Sequence, residues 1–263
     1  MILKKKGDHY LFQFERFNRF DGLVHAIGCR SGGGSQPPFD GFNLSYGVGD
    51  EPDRVAANRR RWLEMTGGGV HCYAYQNHGT GIEVIKRGTR CGGVETQTAP
   101  VAADALITDR PGVRLLIQTA DCQAVMLFEP VKRVVANIHC GWRGSSGNII
   151  GLTVRRMAVA FECDPERMIA AIGPSLGPCC AEFVNYEKEI PRALWPFRVG
   201  PHHFDFWRIS RHQLLAAGLL DGHVQSAGIC TRCNPHLFFS YRASRTTGRF
   251  AALIGMDDDI PSR

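Results

Sequence analysis

The chain has 263 residues, 44% hydrophobic and 21% charged, which is ordinary globular material with enough apolar side chains for a sizeable core. A formal net charge of +6, carried by scattered basic residues, argues against a nucleic-acid partner. The longest apolar runs, such as 124–128 and 168–172, fall far short of the roughly 18 residues that cross a bilayer, and the basic start at Met1 to Lys6 has no apolar stretch behind it. No membrane association is therefore expected, and a cytoplasmic location is.

Short strands are predicted over residues 10–14 and 23–27. Residues 31–49 are rich in Gly, Ser and Pro and read as a long loop, a length that inside a compact domain usually signals function. A helix starts near Asp50, with Pro52 in its first turn and Glu51 and Asp53 at its positive end. Val55, Arg59, Trp62 and Leu63 recur in it at helical spacing, and Gly67-Gly68-Gly69 stops it. Its Arg59-Arg60-Arg61 run reads as a solvated helix face. Strands over 70–76 and 82–85 flank Asn77-His78-Gly79-Thr80-Gly81, and a strand over 113–117 leads into Thr119-Ala120-Asp121-Cys122.

Residues 124–129 and 133–138 are predicted to form a hairpin with Pro130 in the turn, running into His139-Cys140-Gly141-Trp142-Arg143-Gly144. One helix is expected over 146–162, with Ile150, Val154, Met157, Ala158 and Phe161 as its apolar stripe. A strand over 168–172, a helix over 210–217 and a closing hairpin of 237–241 against 250–254 complete the chain. No repeat or linker divides it. The pattern predicts one α+β domain over 1–263, with mixed sheets covered by helices.

The ten cysteines, in a reducing compartment, are thiols, ligands or nucleophiles before they are disulfides. Cys230-Thr231-Arg232-Cys233 is a single C-x-x-C and Cys179-Cys180 a vicinal pair; a zinc ribbon usually needs two such knuckles, so no structural zinc is expected there. His78, Cys122 and His139 each lie at or just beyond a predicted strand end, where loops held by a rigid sheet mount chemistry. Two imidazoles and a thiolate suit zinc with a fourth position left open, but their wide spacing matches no local zinc signature. A Cys/His nucleophile pair suits the same residues. Gly141 to Gly147 sits between a strand and a helix, and Arg143 there offers a planar donor fork to phosphate or carboxylate.

An ordered set of motifs runs along nearly the whole chain: Gly41-Phe42-Asn43-Leu44-Ser45, Asn58-Arg59, Gln76-x-His78-Gly79, Ala103-Asp104-Ala105-Leu106, Thr119-Ala120-Asp121-Cys122, His139-x-Gly141-Trp142-Arg143-Gly144, Ile172-Gly173-Pro174, Cys230-Thr231, Phe239-Ser240-Tyr241-Arg242 and Thr247-Gly248-Arg249. In this the chain resembles the laccase-domain family, also called multicopper polyphenol oxidoreductase, purine nucleoside phosphorylase or peptidoglycan editing factor. The resemblance implies two packed sheets between helix layers (α/β/β/α) and a zinc site formed by His78, Cys122 and His139. It also implies phosphorolysis of adenosine, inosine, guanosine and methylthioadenosine, with deamination of adenosine. Cys140, beside a proposed ligand, is a departure from the family pattern and is expected to compete for metal or alter substrate fit.

The implied parts can be assigned roles. A zinc-activated water would attack purine C6, with Asp121 as proton shuttle or ligand orienter. Arg143 would hold phosphate, Arg59 is a second candidate, and Asn43 and Gln76 are expected to contact substrate. The partners are then a purine nucleoside and phosphate, with a monomer or weak homo-oligomer. The chain has no His-x-His pair, which argues against a multicopper laccase, although Cu²⁺ would bind the same site tightly. Two other classes stay open: a cysteine hydrolase or amidase acting on peptidoglycan precursors, with Cys122 as nucleophile and His139 or His78 as base, and a binding protein without catalysis.

Overall fold

In the computed structural model, which describes residues 1–7, 9–97 and 101–258, apolar side chains alternate along strands buried on both faces. The chain opens with β1 (Ile2–Lys6), β2 (His9–Gln13) and β3 (Leu23–Gly28), followed by helix α1 (Pro52–Met65). Next come β4 (Val70–Tyr75), β5 (Ile82–Val84), β6 (Val101–Ala102), β7 (Ala105–Thr108), β8 (Val113–Thr119), β9 (Gln123–Glu129) and β10 (Val134–Cys140). Helices α2 (Trp142–Ser146) and α3 (Ile149–Phe161) lead to β11 (Ile169–Ile172). The remainder is α4 (Tyr186–Glu189), α5 (Phe206–Ala216), β12 (Val224–Ser226) and β13 (Phe250–Met256).

Two mixed sheets result, a seven-stranded one in the order β1-β2-β3-β13-β8-β4-β6 and a six-stranded one in the order β12-β11-β9-β10-β7-β5. The side-chain period of two fixes how they stack. Along β9, Ala124, Met126 and Phe128 enter the layer between the sheets, while Val125 and Leu127 enter the layer under α3 and α5. Along β13, Phe250, Ala252 and Ile254 face the inter-sheet layer, and Ala251 and Leu253 pack on Trp62 of α1. The order is therefore α1, seven-stranded sheet, six-stranded sheet, α3 with α5: the expected α/β/β/α arrangement of an α+β fold. Asn137 of β10 ties the sheets, its amide donating to the carbonyls of Leu115 and Ala252, both at 2.9 Å.

The predicted hairpin of β9 and β10 forms, in the register Glu129↔Val134 to Gln123↔Cys140. The closing hairpin does not. β13 pairs with β3 on one side and β8 on the other, so no edge is left for residues 237–241. That segment instead follows a turn in which the Phe238 amide donates to the Asn234 carbonyl, and it buries Phe238 and Phe239 in the inter-sheet core. The helix expected over 146–162 is α3, starting at Ile149, and the turn before it holds the additional short α2. Asn148 adopts a left-handed φ of 53° and accepts the Gly151 amide, capping α3 and separating it from the short α2. No helix among the described residues is long and apolar enough to cross a membrane.

Candidate functional site

β4 and β8 run parallel, so their C-terminal ends meet one edge of the molecule. β10 runs antiparallel to β9 and brings its own C-terminal end to the start of β9. These two pairings place the residues after β4, between β8 and β9, and at the end of β10 in one region. His78, Cys122 and His139 converge there, their ligand atoms all within 4.8 Å of one another. The two imidazoles stand edge to face with ring centres 4.7 Å apart. The site opens on a cleft of about 940 Å³ whose lining includes Tyr73, Trp142, Phe183, Arg59, Arg143 and Arg249.

His139 is buried on the inter-sheet side of its strand, and its Nδ1 lies 2.7 Å from Asp104 Oδ1. The other ring nitrogen is left for Cys122. The same Asp104 carboxylate accepts the amides of His78 at 3.0 Å and Gly79 at 2.7 Å. Asp104 thus holds one imidazole by its ring and the other by its backbone, the carboxylate–histidine support common at metal ligands. His78 sits at φ 61° and Asp121 at φ 94°, left-handed conformations that cost a non-glycine residue about 1–3 kcal/mol and cluster at functional sites. Gly141 is needed for room: a Cβ there would lie 3.0 Å from Cys122 Sγ and 3.3 Å from His78 Cδ2.

Burial alone would push the Cys122 thiol up, but the His139 charge and hydrogen bonds from both imidazoles overcome it and hold the thiol down at about 6. Burial would likewise depress His139, yet the Cys122 thiolate and the Asp104 carboxylate raise it to about 9. Asp104 would also be raised by burial, but its bonds to His139 and to the Gly79 amide bring it below the ordinary carboxylate value. The pair is a thiolate facing an imidazolium. That donor set suits a borderline-soft divalent metal, and it equally suits a cysteine nucleophile.

The other residues singled out from the sequence separate into groups. Gln76 lines the cleft and is spent on a two-way bond with the Gln118 backbone, donating at 2.8 Å and accepting at 2.9 Å. Asp121 accepts the Thr231 hydroxyl and the Arg242 amide, both at 2.6 Å, so both its oxygens organise neighbouring loops. Arg143 is exposed on the cleft wall with its guanidinium 4.3 Å from the Trp142 ring centre. Arg59 is not on a solvated helix face: it is buried, donates to the carbonyls of Leu44 and Thr96, and lies between the rings of Tyr46 and Tyr73. Arg60 and Arg61 are exposed as expected.

Asn43 does not line the cleft. Its amide donates to Ser45 and Asp50 and its oxygen accepts Ser45 and Arg249 amides, so the side chain is occupied by its own loop and the residue before β13. Cys140 is not a competing ligand, because it projects from the opposite face of β10 to His139, with its sulfur 3.3 Å from Ser145 Oγ. Burial raises that thiol to about 12.

Two residues had no role assigned from the sequence. Asp104 lay in a recognised motif, but nothing in a lone carboxylate before an apolar run announces its imidazole partner. Arg249 closes the Thr247-Gly248-Arg249 motif and is cleft-lining; burial lowers its guanidinium, against the opposing charges of Cys122 and Asp121.

Comparison with known proteins gives the family of the chain. A family model described as "Multi-copper polyphenol oxidoreductase laccase" matches residues 24–257. Purine nucleoside phosphorylase YlmD of Geobacillus stearothermophilus is 34% identical over 253 residues, covering 91% of this chain and 92% of that protein. The crystal structure of YlmD from the same organism superposes with a TM-score of 0.87 at 32% identity, covering 98% and 99% of the two chains. That of the Bacillus licheniformis hypothetical protein YfiH superposes with a TM-score of 0.89 at 27% identity, covering 97% and 99%. On these matches and its fold, the chain belongs to the multi-copper polyphenol oxidoreductase laccase family, and relatives of it are named purine nucleoside phosphorylase.

Proposed function

We propose that this protein is a zinc-dependent purine nucleoside phosphorylase that also deaminates adenosine, acting on adenosine, inosine, guanosine and methylthioadenosine. The observation that carries the reading is the convergence of His78, Cys122 and His139 at the floor of a cleft lined by aromatic rings and arginines. Zinc held by these three residues would supply Lewis-acid polarisation and a more acidic water.

The protein's own groups do the rest. Trp142 and Phe183, edge to face at 6.1 Å, offer apolar surface for a purine. Arg143 engages no carboxylate among the described residues and is available to hold phosphate beneath the ribose C1′ as positive charge builds on the sugar. Arg249 adds positive potential beside the thiolate. Arg59, committed to two carbonyls and two rings, shapes the cleft wall and is a weaker phosphate ligand than Arg143. Asp104 keeps His139 oriented, and Asp121 fixes the loops around the nucleoside.

Incubation of adenosine with phosphate, followed by chromatography, tests the reading. The expected products are adenine with ribose 1-phosphate, alongside inosine; omission of phosphate should abolish only the first pair. Absence of all three under zinc-replete conditions would overturn it.

A second reading rests on the alignment of Cys122, His139 and Asp104. A thiolate, its imidazole and an orienting carboxylate are the parts of a cysteine hydrolase or amidase. Metal-free protein that cleaves peptidoglycan-precursor amides and is inactivated by iodoacetamide at Cys122 would favour it. A copper-dependent polyphenol oxidase would use the same three donors.

A further inference from the structure

A second cluster of sulfurs lies apart from the Cys122 site. The turn after β11 carries Cys179 and Cys180, and the turn after β12 carries Cys230 and Cys233. All four Sγ atoms lie within 4.8 Å of one another. Cys233 Sγ is 3.6 Å from that of Cys179 and 3.5 Å from that of Cys180. A disulfide needs sulfurs about 2.05 Å apart, so these are contacts between free thiols. A tetrahedron of sulfurs bound to one zinc at about 2.3 Å has edges of about 3.8 Å, which is the scale of the observed contacts.

The frame around the sulfurs is rigid. Ser175 and Cys230 form a parallel bridge, with the Ser175 amide donating to the Ile229 carbonyl at 3.2 Å and the Thr231 amide to the Ser175 carbonyl at 3.0 Å. The amides of Cys180 and Ala181 donate to the Gly177 carbonyl at 2.9 Å, closing the first turn. The Asn234 side chain donates to the Cys230 carbonyl at 2.8 Å, closing the second. Gly177 allows this approach, since a Cβ there would sit 3.1 Å from the Cβ of Cys230 and 2.8 Å from the Trp207 ring. The backbone amides of Gly177 and Cys233 donate toward the Cys230 sulfur. Amides aimed at a sulfur stabilise a thiolate, the form that binds metal.

We infer that Cys179, Cys180, Cys230 and Cys233 form a tetrathiolate zinc site that clamps the two turns together. The spacing of one C-x-x-C and one vicinal pair argues against a ribbon of paired knuckles. The fold supplies the missing partner by laying the second turn beside the first. Four thiolates complete the coordination shell, so the site is structural, with no open position for substrate. Uptake of the metal displaces the thiol protons to solvent and changes no oxidation state. The clamp bears on the cleft through its neighbours: Thr231 bonds Asp121, and the chain after Cys180 continues into the cleft-lining Ala181, Glu182 and Phe183. The inference does not depend on the reaction catalysed.

Cobalt substitution in full-length protein purified under reductant tests it. Cys122→Ala removes the only thiolate of the other site, and among the described residues the cluster is the one group that brings four thiols together, so a four-thiolate cobalt spectrum in that variant comes from the cluster. The expected spectrum is that of tetrahedral cobalt with four thiolates, displaced by one equivalent of zinc. It should vanish when Cys179→Ser and Cys233→Ser are added. These two positions are exposed and the least able to disturb folding, and the Cys122→Ala spectrum decides the matter even if the added changes unfold the chain. A Cys122→Ala protein with no thiolate-to-cobalt band, or with a Cys180–Cys233 disulfide by mass spectrometry, would overturn the site.

Discussion

Asp104 draws together two residues that the chain separates widely, gripping the His139 ring and the backbone of His78 and Gly79 with one carboxylate. Asp104→Asn keeps the shape and removes the charge. It should weaken zinc binding about 10–100-fold, measured by competition with a chromophoric chelator. A dissociation constant within twofold of wild type would mean that the carboxylate does not support the ligands. The Cys122–His139 pair gives a pH window. The thiol, near 9 in an unfolded chain, is held at about 6, so its thiolate contributes stability in full above 9 and loses it as pH falls through 6. The imidazole, near 6.5 unfolded, is held at about 9, so its charge contributes in full below 6.5 and loses it as pH rises through 9. The ion pair therefore persists from about 6 to about 9. In chelator-treated protein, alkylation of Cys122 by iodoacetamide should rise with pH around 6 and then level off, whereas a rise centred near 9 would contradict the thiolate. His78, Cys122 and His139 each stand at a strand end, but their wide spacing carries no zinc signature, so it is the resemblance of the ordered motifs that singles them out as a set and the fold that brings their ligand atoms together. Asp104 and Arg249 gain meaning only from partners brought in by the fold, and Asn43 is spent on bonds to its own loop and to the Arg249 amide.

At the scale of elements, β10 holds the site at one end and the sandwich together in the middle. Its odd-numbered residues Val135, Asn137 and His139 face the other sheet, so the clamp at Asn137 and the ligand at His139 share one face of one strand. Asn137→Ala removes two buried bonds across the layer and should cost about 1–3 kcal/mol in denaturant unfolding. No loss of stability would show the clamp to be dispensable. β9, β10 and β13 are readable as continuous apolar runs bounded by turn residues, the pattern of strands buried on both faces. The two-residue β6 and the three-residue β5 and β12 are too short to carry a period, although residues 82–85 were recognised from their flanking turn. The stripe that begins at Ile150 marks α3, whereas α2 lies in the glycine-rich turn of residues 141–147, where no apolar period announces a helix, and the left-handed Asn148 separates the two. Residues 237–241 have the composition of a strand; they pack Phe238 and Phe239 into the core without a ladder because β13 is already paired on both sides.

Across the whole molecule, the site straddles the two sheets. His78 follows β4 and Cys122 follows β8 of the seven-stranded sheet, while His139 belongs to β10 of the six-stranded one. A metal bound there would fasten the two halves of the core at one end, as Asn137 does in the middle. The α/β/β/α layering followed from the residues only as far as an α+β pattern; the ordered motifs supplied the rest, because sheet order depends on pairings remote in sequence. The central claim, a zinc centre in a nucleoside cleft, is tested most directly by crystals grown with zinc and adenosine, measured on either side of the zinc absorption edge. The account predicts an anomalous peak bonded to His78, Cys122 and His139 with the purine in the adjoining cleft. A zinc-replete crystal with no peak among those three side chains would contradict it.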